Sequence, residues 1–124
     1  MKVEIIKKNH TEVAVIESED CLIKDVSSAL DLVMNIKYET GCANIALNCQ
    51  AIVDDFFQLR TCLAGEILQK FINYGVRFAI YGDFSVFSSK ALQDFMYESN
   101  QGKNIFFQKS KEEAVNKLAG CADC

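Results

Sequence analysis

Short runs of β character that alternate with helix-length amphipathic segments constrain this chain more than any other feature. Thr11–Glu17, Ala43–Leu47, Val76–Tyr81 and Asn104–Gln108 are β-rich, and each is separated from the next by a segment long enough for a helix. Strands joined by helical crossovers return parallel in one sheet, and such crossovers are right-handed. Ahead of them, Val3, Ile5 and Lys7 alternate with Lys2, Glu4 and Ile6, and Lys8-Asn9-His10 leads straight into the next run. That spacing predicts a β-hairpin. The predicted fold class is therefore α/β, in the order ββαβαβαβα, with a mostly parallel sheet, an N-terminal antiparallel hairpin and helices packed on the sheet.

The helices announce themselves by their ends. Asp25 stands where an N-cap belongs, Val26, Leu30, Val33, Met34 and Lys37 follow on one face, and Gly41 marks the stop. Leu63, Ile67, Leu68, Phe71 and Ile72 form a second apolar face between Thr61, read as its N-cap, and Gly75. Ser88 or Ser89 caps a third helix carrying Leu92, Phe95, Met96 and Ser99, which Gly102 closes. Ser110-Lys111-Glu112-Glu113 is a capping box that opens a fourth.

With 124 residues, 50% of them apolar, the chain can bury a core without disulfide or metal staples. One domain over residues 1–119 is expected, with 120–124 as a disordered C-terminal tail. Thirteen basic against 17 acidic residues give a formal charge of −4 with no Lys/Arg cluster, which argues against nucleic acid as a partner. No apolar run approaches the ~20 residues of a membrane span, and Met1-Lys2-Val3-Glu4 is too charged to begin a signal peptide. The expected location is cytoplasmic, and the six cysteines then read as reduced thiols.

Leu63-Ala64-Gly65-Glu66-Ile67-Leu68-Gln69-Lys70-Phe71, Asn73-Tyr74-Gly75-Val76, Gly82-Asp83-Phe84-Ser85, Ser89-Lys90-Ala91-Leu92 and Tyr97-Glu98-Ser99-Asn100 together resemble a bacterial family called domain of unknown function 4180. The resemblance runs roughly from residue 20 to 119. It implies a shared fold and leaves the chemistry to be read from the residues. The element order also resembles STAS domains, the fold of bacterial anti-sigma factor antagonists. In those proteins a Ser or Thr at the amino end of the helix after the third strand is phosphorylated by a partner kinase. The resemblance places Thr61 there, within Leu59-Arg60-Thr61-Cys62-Leu63, which departs from the Asp-Ser-(Ser/Thr)-Gly pattern of that switch.

The candidate site residues are Arg60, Thr61, Gly82, Asp83 and Ser85. A phosphate on Thr61 would meet a helix N-terminus and the adjacent Arg60, although a plain capping hydroxyl, a routine role for Thr, is the reading the residue favours. Gly82-Asp83-Phe84-Ser85 follows a central strand, where open α/β sheets bind ligands, and glycine permits close backbone approach. The bland alternative is a turn in which Asp83 and Ser85 satisfy backbone N–H groups. Asp54, Asp55, Glu66 and Asp83 are oxygen donors of the kind Mg²⁺ takes, with no spacing that demands it, so no metal site is expected. Cys121-Ala122-Asp123-Cys124 has C-x-x-C spacing but trails the last helix instead of opening one.

His10 is the single histidine and falls in the hairpin turn, which removes the usual base of Ser-His and Cys-His catalysis. Lys90, Glu98 and Asn100 remain as residues of a solvated helix face or of a lysine or carboxylate mechanism. Phe84 and Phe87 are the aromatics placed to line a loop pocket. The leading expectation is a non-enzymatic regulatory or protein-interaction module, switched by phosphorylation and served by a protein partner or kinase. The alternative is a small-molecule binder for a lipid or an anionic metabolite, and the third is an enzyme of unknown class. No cofactor is expected, and homodimerisation through exposed strand edges stays open.

Overall fold

Asn9 (φ 52°) and His10 (φ 65°) both adopt the left-handed backbone of a type I′ turn, whose twist matches that of two paired strands. The turn closes β1 (Lys2–Lys8) on β2 (Thr11–Glu17) as an antiparallel hairpin, with Lys2 opposite Glu17 and Lys8 opposite Thr11. In the computed structural model, which describes residues 1–120, the predicted order of elements then follows along the chain.

Helix α1 (Val26–Thr40) begins at a reciprocal cap: the Ser28 N–H donates to the Asp25 carboxylate at 2.8 Å and the Asp25 N–H donates to the Ser28 hydroxyl at 3.0 Å. It ends where Gly41 turns left-handed (φ 77°) and its N–H reaches the Lys37 carbonyl. After β3 (Asn44–Asn48) the chain makes three short 3₁₀ turns before α2 (Leu63–Asn73). Then come β4 (Arg77–Tyr81), α3 (Lys90–Gln101) with Ser89 as its cap, β5 (Ile105–Gln108) and α4 (Lys111–Gly120).

The sheet order is β1-β2-β3-β4-β5, antiparallel only between β1 and β2. Crossovers of one hand that always step in one direction must lie on one face. Accordingly Val33 and Ile36 of α1, Ile67 and Phe71 of α2, and Leu92 and Met96 of α3 share one core with Ala14, Ile16, Ile45, Leu47, Phe78, Ile80 and Phe107. The alternate strand residues Val13, Val15, Ala46, Ala79, Tyr81 and Phe106 face the other way, onto Ala114, Val115 and Leu118 of α4.

One ten-residue helix thus covers the second face. Val15, Ala46, Ala79 and Phe106 lie abreast in the register, and the two alanines at the middle of that row give α4 a shallow seat. Arg77 fixes the helix from its far end. Its Nη1 donates to the Leu118 carbonyl at 2.9 Å and to Asn44 Oδ1 at 3.1 Å, and its Nε donates to the Lys103 carbonyl at 2.8 Å. A cation at helix carbonyls meets the negative end of the dipole.

Two expectations need correction. Cys62, not Thr61, occupies the N-cap position of α2; it sits left-handed (φ 62°) and makes no side-chain cap. Thr61 closes the preceding 3₁₀ turn, one residue before the cap position; its hydroxyl donates back to the Asp55 and Gln58 carbonyls and accepts from the Leu63 N–H at the start of α2. Gly120, read as the start of a tail, is the last residue of α4. The remainder of that tail, Cys121 and Cys124 included, lies outside the described residues.

Candidate functional site

The parallel strands end together, and the groups that gather at their carboxyl ends are mostly amides and hydroxyls. Asn48, the last residue of β3, is buried; its Oδ1 accepts from the Ser18 N–H at 2.9 Å and its Nδ2 donates to the Ser18 carbonyl at 2.7 Å. The side chain extends the sheet by one ladder step beyond β2. Tyr81, at the end of β4, is buried and its hydroxyl donates to the Ile16 carbonyl at 3.0 Å. Burial pushes that phenol up to about 12.

Gly82 follows at φ 152°, a conformation that favours glycine. What approaches its backbone is the Cys49 side chain: a Cβ on Gly82 would run into the Cys49 thiol. The close approach expected at this glycine is therefore made, in this structure, from within the chain. Burial pushes the Cys49 thiol up, against the opposing pull of the Asp83 peptide N–H.

Asp83 and Ser85 form the turn that follows. Asp83 Oδ1 accepts from the Ser85 N–H at 2.9 Å and from the Ser85 hydroxyl at 2.5 Å, and those two bonds hold the exposed carboxyl below its usual range. This is local turn chemistry. It also stiffens one wall of a groove.

That groove, of about 650 Å³, runs between the Gly82–Ser85 turn, the outward side of α3 and the end of β5. Phe84, Met96, Tyr97 and Phe107 give it an apolar lining, while Asp83, Ser85, Gln93, Gln108 and Lys109 supply the polar groups. Its position follows from topology. The chain leaves β4 for α3 on one face and leaves β5 for α4 on the other, so the two connections diverge and open a crevice between adjacent strand ends.

The sequence-predicted residues separate into two places. Gly82, Asp83 and Ser85 line the groove, whereas Arg60 lines a recess of about 360 Å³ with Gln58, Ser89 and Ala91. Arg60 Nη2 donates to Gln58 Oε1 at 3.0 Å. The exposed Thr61 hydroxyl donates to the Asp55 and Gln58 carbonyls, both at 2.8 Å, and accepts from the Leu63 N–H at 3.2 Å. The two loops do meet, but through aromatics: the Phe57 ring stacks on Phe87 at 4.7 Å and tilts against Phe84 at 6.3 Å.

Reading the residues missed Asn48, Cys49, Gln108 and Lys109. Asn100, weighed as a catalytic or solvated residue, is occupied by the backbone of β5: its Oδ1 accepts from the Phe107 N–H at 2.7 Å and its Nδ2 donates to the Phe107 carbonyl at 3.1 Å. Lys90 is paired with Asp94 at 3.0 Å on the exposed side of α3. Among the described residues, no three His, Cys, Asp or Glu side chains gather as a cation site requires, and no helix is long and apolar enough to cross a membrane.

Comparison with known proteins adds a family. No curated protein and no solved structure matches the chain. A family model described as Domain of unknown function (DUF4180) matches residues 8–118, which takes in all of the parallel sheet and every element that lines the groove. The chain belongs to that family.

Proposed function

We propose that the protein binds a small amphipathic organic molecule in the groove at the ends of β4 and β5. Its apolar body lies against Phe84, Met96 and Phe107, and its anionic end is directed to Lys109. The observation that carries this reading is the divergence of the two strand connections around an apolar-lined crevice with convergent polar groups, the form that small-molecule sites take in open sheets. A more open depression of about 950 Å³ lies along α2, but none of the residues after β4 and β5 where the connections diverge lines it. The free thiols Cys21, Cys42, Cys49 and Cys62 suit a reducing compartment such as the cytoplasm.

Anilinonaphthalene sulfonate, which has an aromatic body and one anionic group, is a suitable probe. Saturable one-to-one binding to the folded chain is expected, weakened roughly two- to fivefold by Lys109→Glu, the range of an exposed ion pair. Binding that does not saturate, or that is indifferent to Lys109→Glu and to a bulky Ser85→Trp, would overturn the reading.

A second reading rests on Thr61 and Arg60, both exposed immediately before α2. On a STAS-like regulatory module, phosphorylation of Thr61 removes the proton with which it holds the Asp55 and Gln58 carbonyls. The turn into α2 would then loosen, and Arg60 would exchange Gln58 for the phosphate. Intact mass spectrometry of natively expressed protein tests it. A phosphorylated fraction that vanishes in Thr61→Val supports the switch, and a uniformly unmodified mass rejects it.

A further inference from the structure

The two edges of the sheet are treated differently. On β5, the outward N–H and C=O of Phe107 are closed by the Asn100 side chain. On β1 nothing comparable occurs along Lys2–Lys8, where Val3 remains 39% exposed and Ile5 43%, and Met1 just before the strand is 68% exposed. Unpaired edges with apolar side chains are templates for another strand.

The hairpin decides which peptide groups are free. A two-residue turn at Asn9-His10 makes Lys8 and Thr11 the hydrogen-bonded closing pair, so Lys8, Ile6, Glu4 and Lys2 point their N–H and C=O groups at β2. Val3 and Ile5 point theirs outwards. Val3 lies opposite Ile16 and Ile5 opposite Ala14, so their side chains share the face of the three-helix core, while Lys2 and Glu4 lie on the other face.

We infer that β1 pairs antiparallel with β1 of a second copy of this chain, about a two-fold axis at Val3, joining the two sheets into one. In that register Val3 meets Val3 and Met1 meets Ile5 on one face, while Lys2 meets Glu4 twice on the other. Neighbouring symmetric registers fit worse. Centring on Glu4 opposes two carboxylates; centring on Ile5 opposes Lys2 to Lys8 and Val3 to Lys7; centring on Ile6 opposes Val3 to Asn9 of the turn. The match of both apolar and charged residues singles out Val3. An interface this small belongs to the weak, concentration-dependent class.

Sedimentation velocity between about 10 μM and 1 mM tests the pairing. The unmodified chain is expected to dimerise with rising concentration, and Val3→Lys, at an exposed position, to remain monomeric and folded. Lys2→Glu alone and Glu4→Lys alone should each dimerise roughly tenfold more weakly, since each opposes like charges twice. Mixing those two variants should restore the dimer, because the doubly acidic strand then faces the doubly basic one. A monomer throughout the concentration range, or association that Val3→Lys leaves intact or that mixing fails to restore, would overturn the inference.

Discussion

The side-chain amide of Asn100 pairs with both backbone groups of Phe107, accepting from its N–H at 2.7 Å and donating to its C=O at 3.1 Å. Asn100 stands in for one residue of a further strand. Asn48 does the same for Ser18 at the end of β2, with contacts of 2.9 and 2.7 Å. Both amides extend a ladder where backbone partners run out, and the Asn100 pair also forms the inner wall of the groove.

Asn100→Ala is therefore expected to cost about 2 kcal/mol, two hydrogen bonds at roughly 1 kcal/mol each. Urea unfolding should show a lower midpoint with an unchanged slope, and amide exchange at Phe107 should accelerate. An unchanged midpoint would mean that the free edge is as well served by water.

Gly82→Ala should destabilise by about 3 kcal/mol, combining backbone strain at φ 152° with a collision against the Cys49 thiol. Adding Cys49→Ala should recover the steric part and leave the strain. A double-mutant cycle that shows no coupling would refute the contact.

Tyr81 links stability to alkaline pH. Its ordinary value of 10.0 is raised to about 12 in the folded chain, so the folded state holds the proton more tightly than the unfolded state does. The resulting stability is fully present below pH 10 and is lost as pH rises through 12. Tyr81→Phe should flatten that loss in stability measured against pH, while costing about 1 kcal/mol at neutral pH through the bond to Ile16.

Ala79→Leu should displace α4, since Ala79 is fully buried in the middle of the row beneath it. Overpacking of this kind costs about 1–3 kcal/mol. Loss of Arg77–Leu118 anchoring, seen as faster amide exchange at the end of α4, should accompany it.

What could be read from the sequence was local. Asp25 and Ser89, the latter one of two serines open as a cap, mark helix starts through their side-chain oxygens, and Gly41 and the Asn9-His10 turn mark boundaries through their backbone. Thr61 lies one residue short of the N-cap position because Cys62 takes up the left-handed conformation, which no residue preference signals, although its hydroxyl still reaches the Leu63 N–H. Gly82 was legible as a close approach, but the group that approaches is Cys49, from another strand end. Asn100 read as a solvated helix residue because its partner, Phe107, becomes visible only once β5 is known to be an edge. The groove itself depends on α3 and α4 lying on opposite faces, which strand and helix order alone does not state.

Amide chemical-shift mapping with anilinonaphthalene sulfonate tests the groove most directly. Shifts are expected to concentrate at Gly82–Ser85, Gln93, Tyr97, Gln108 and Lys109 and to saturate together. Shifts confined to Cys62, Gly65, Glu66 and Gln69 along α2, or none at all, would contradict it.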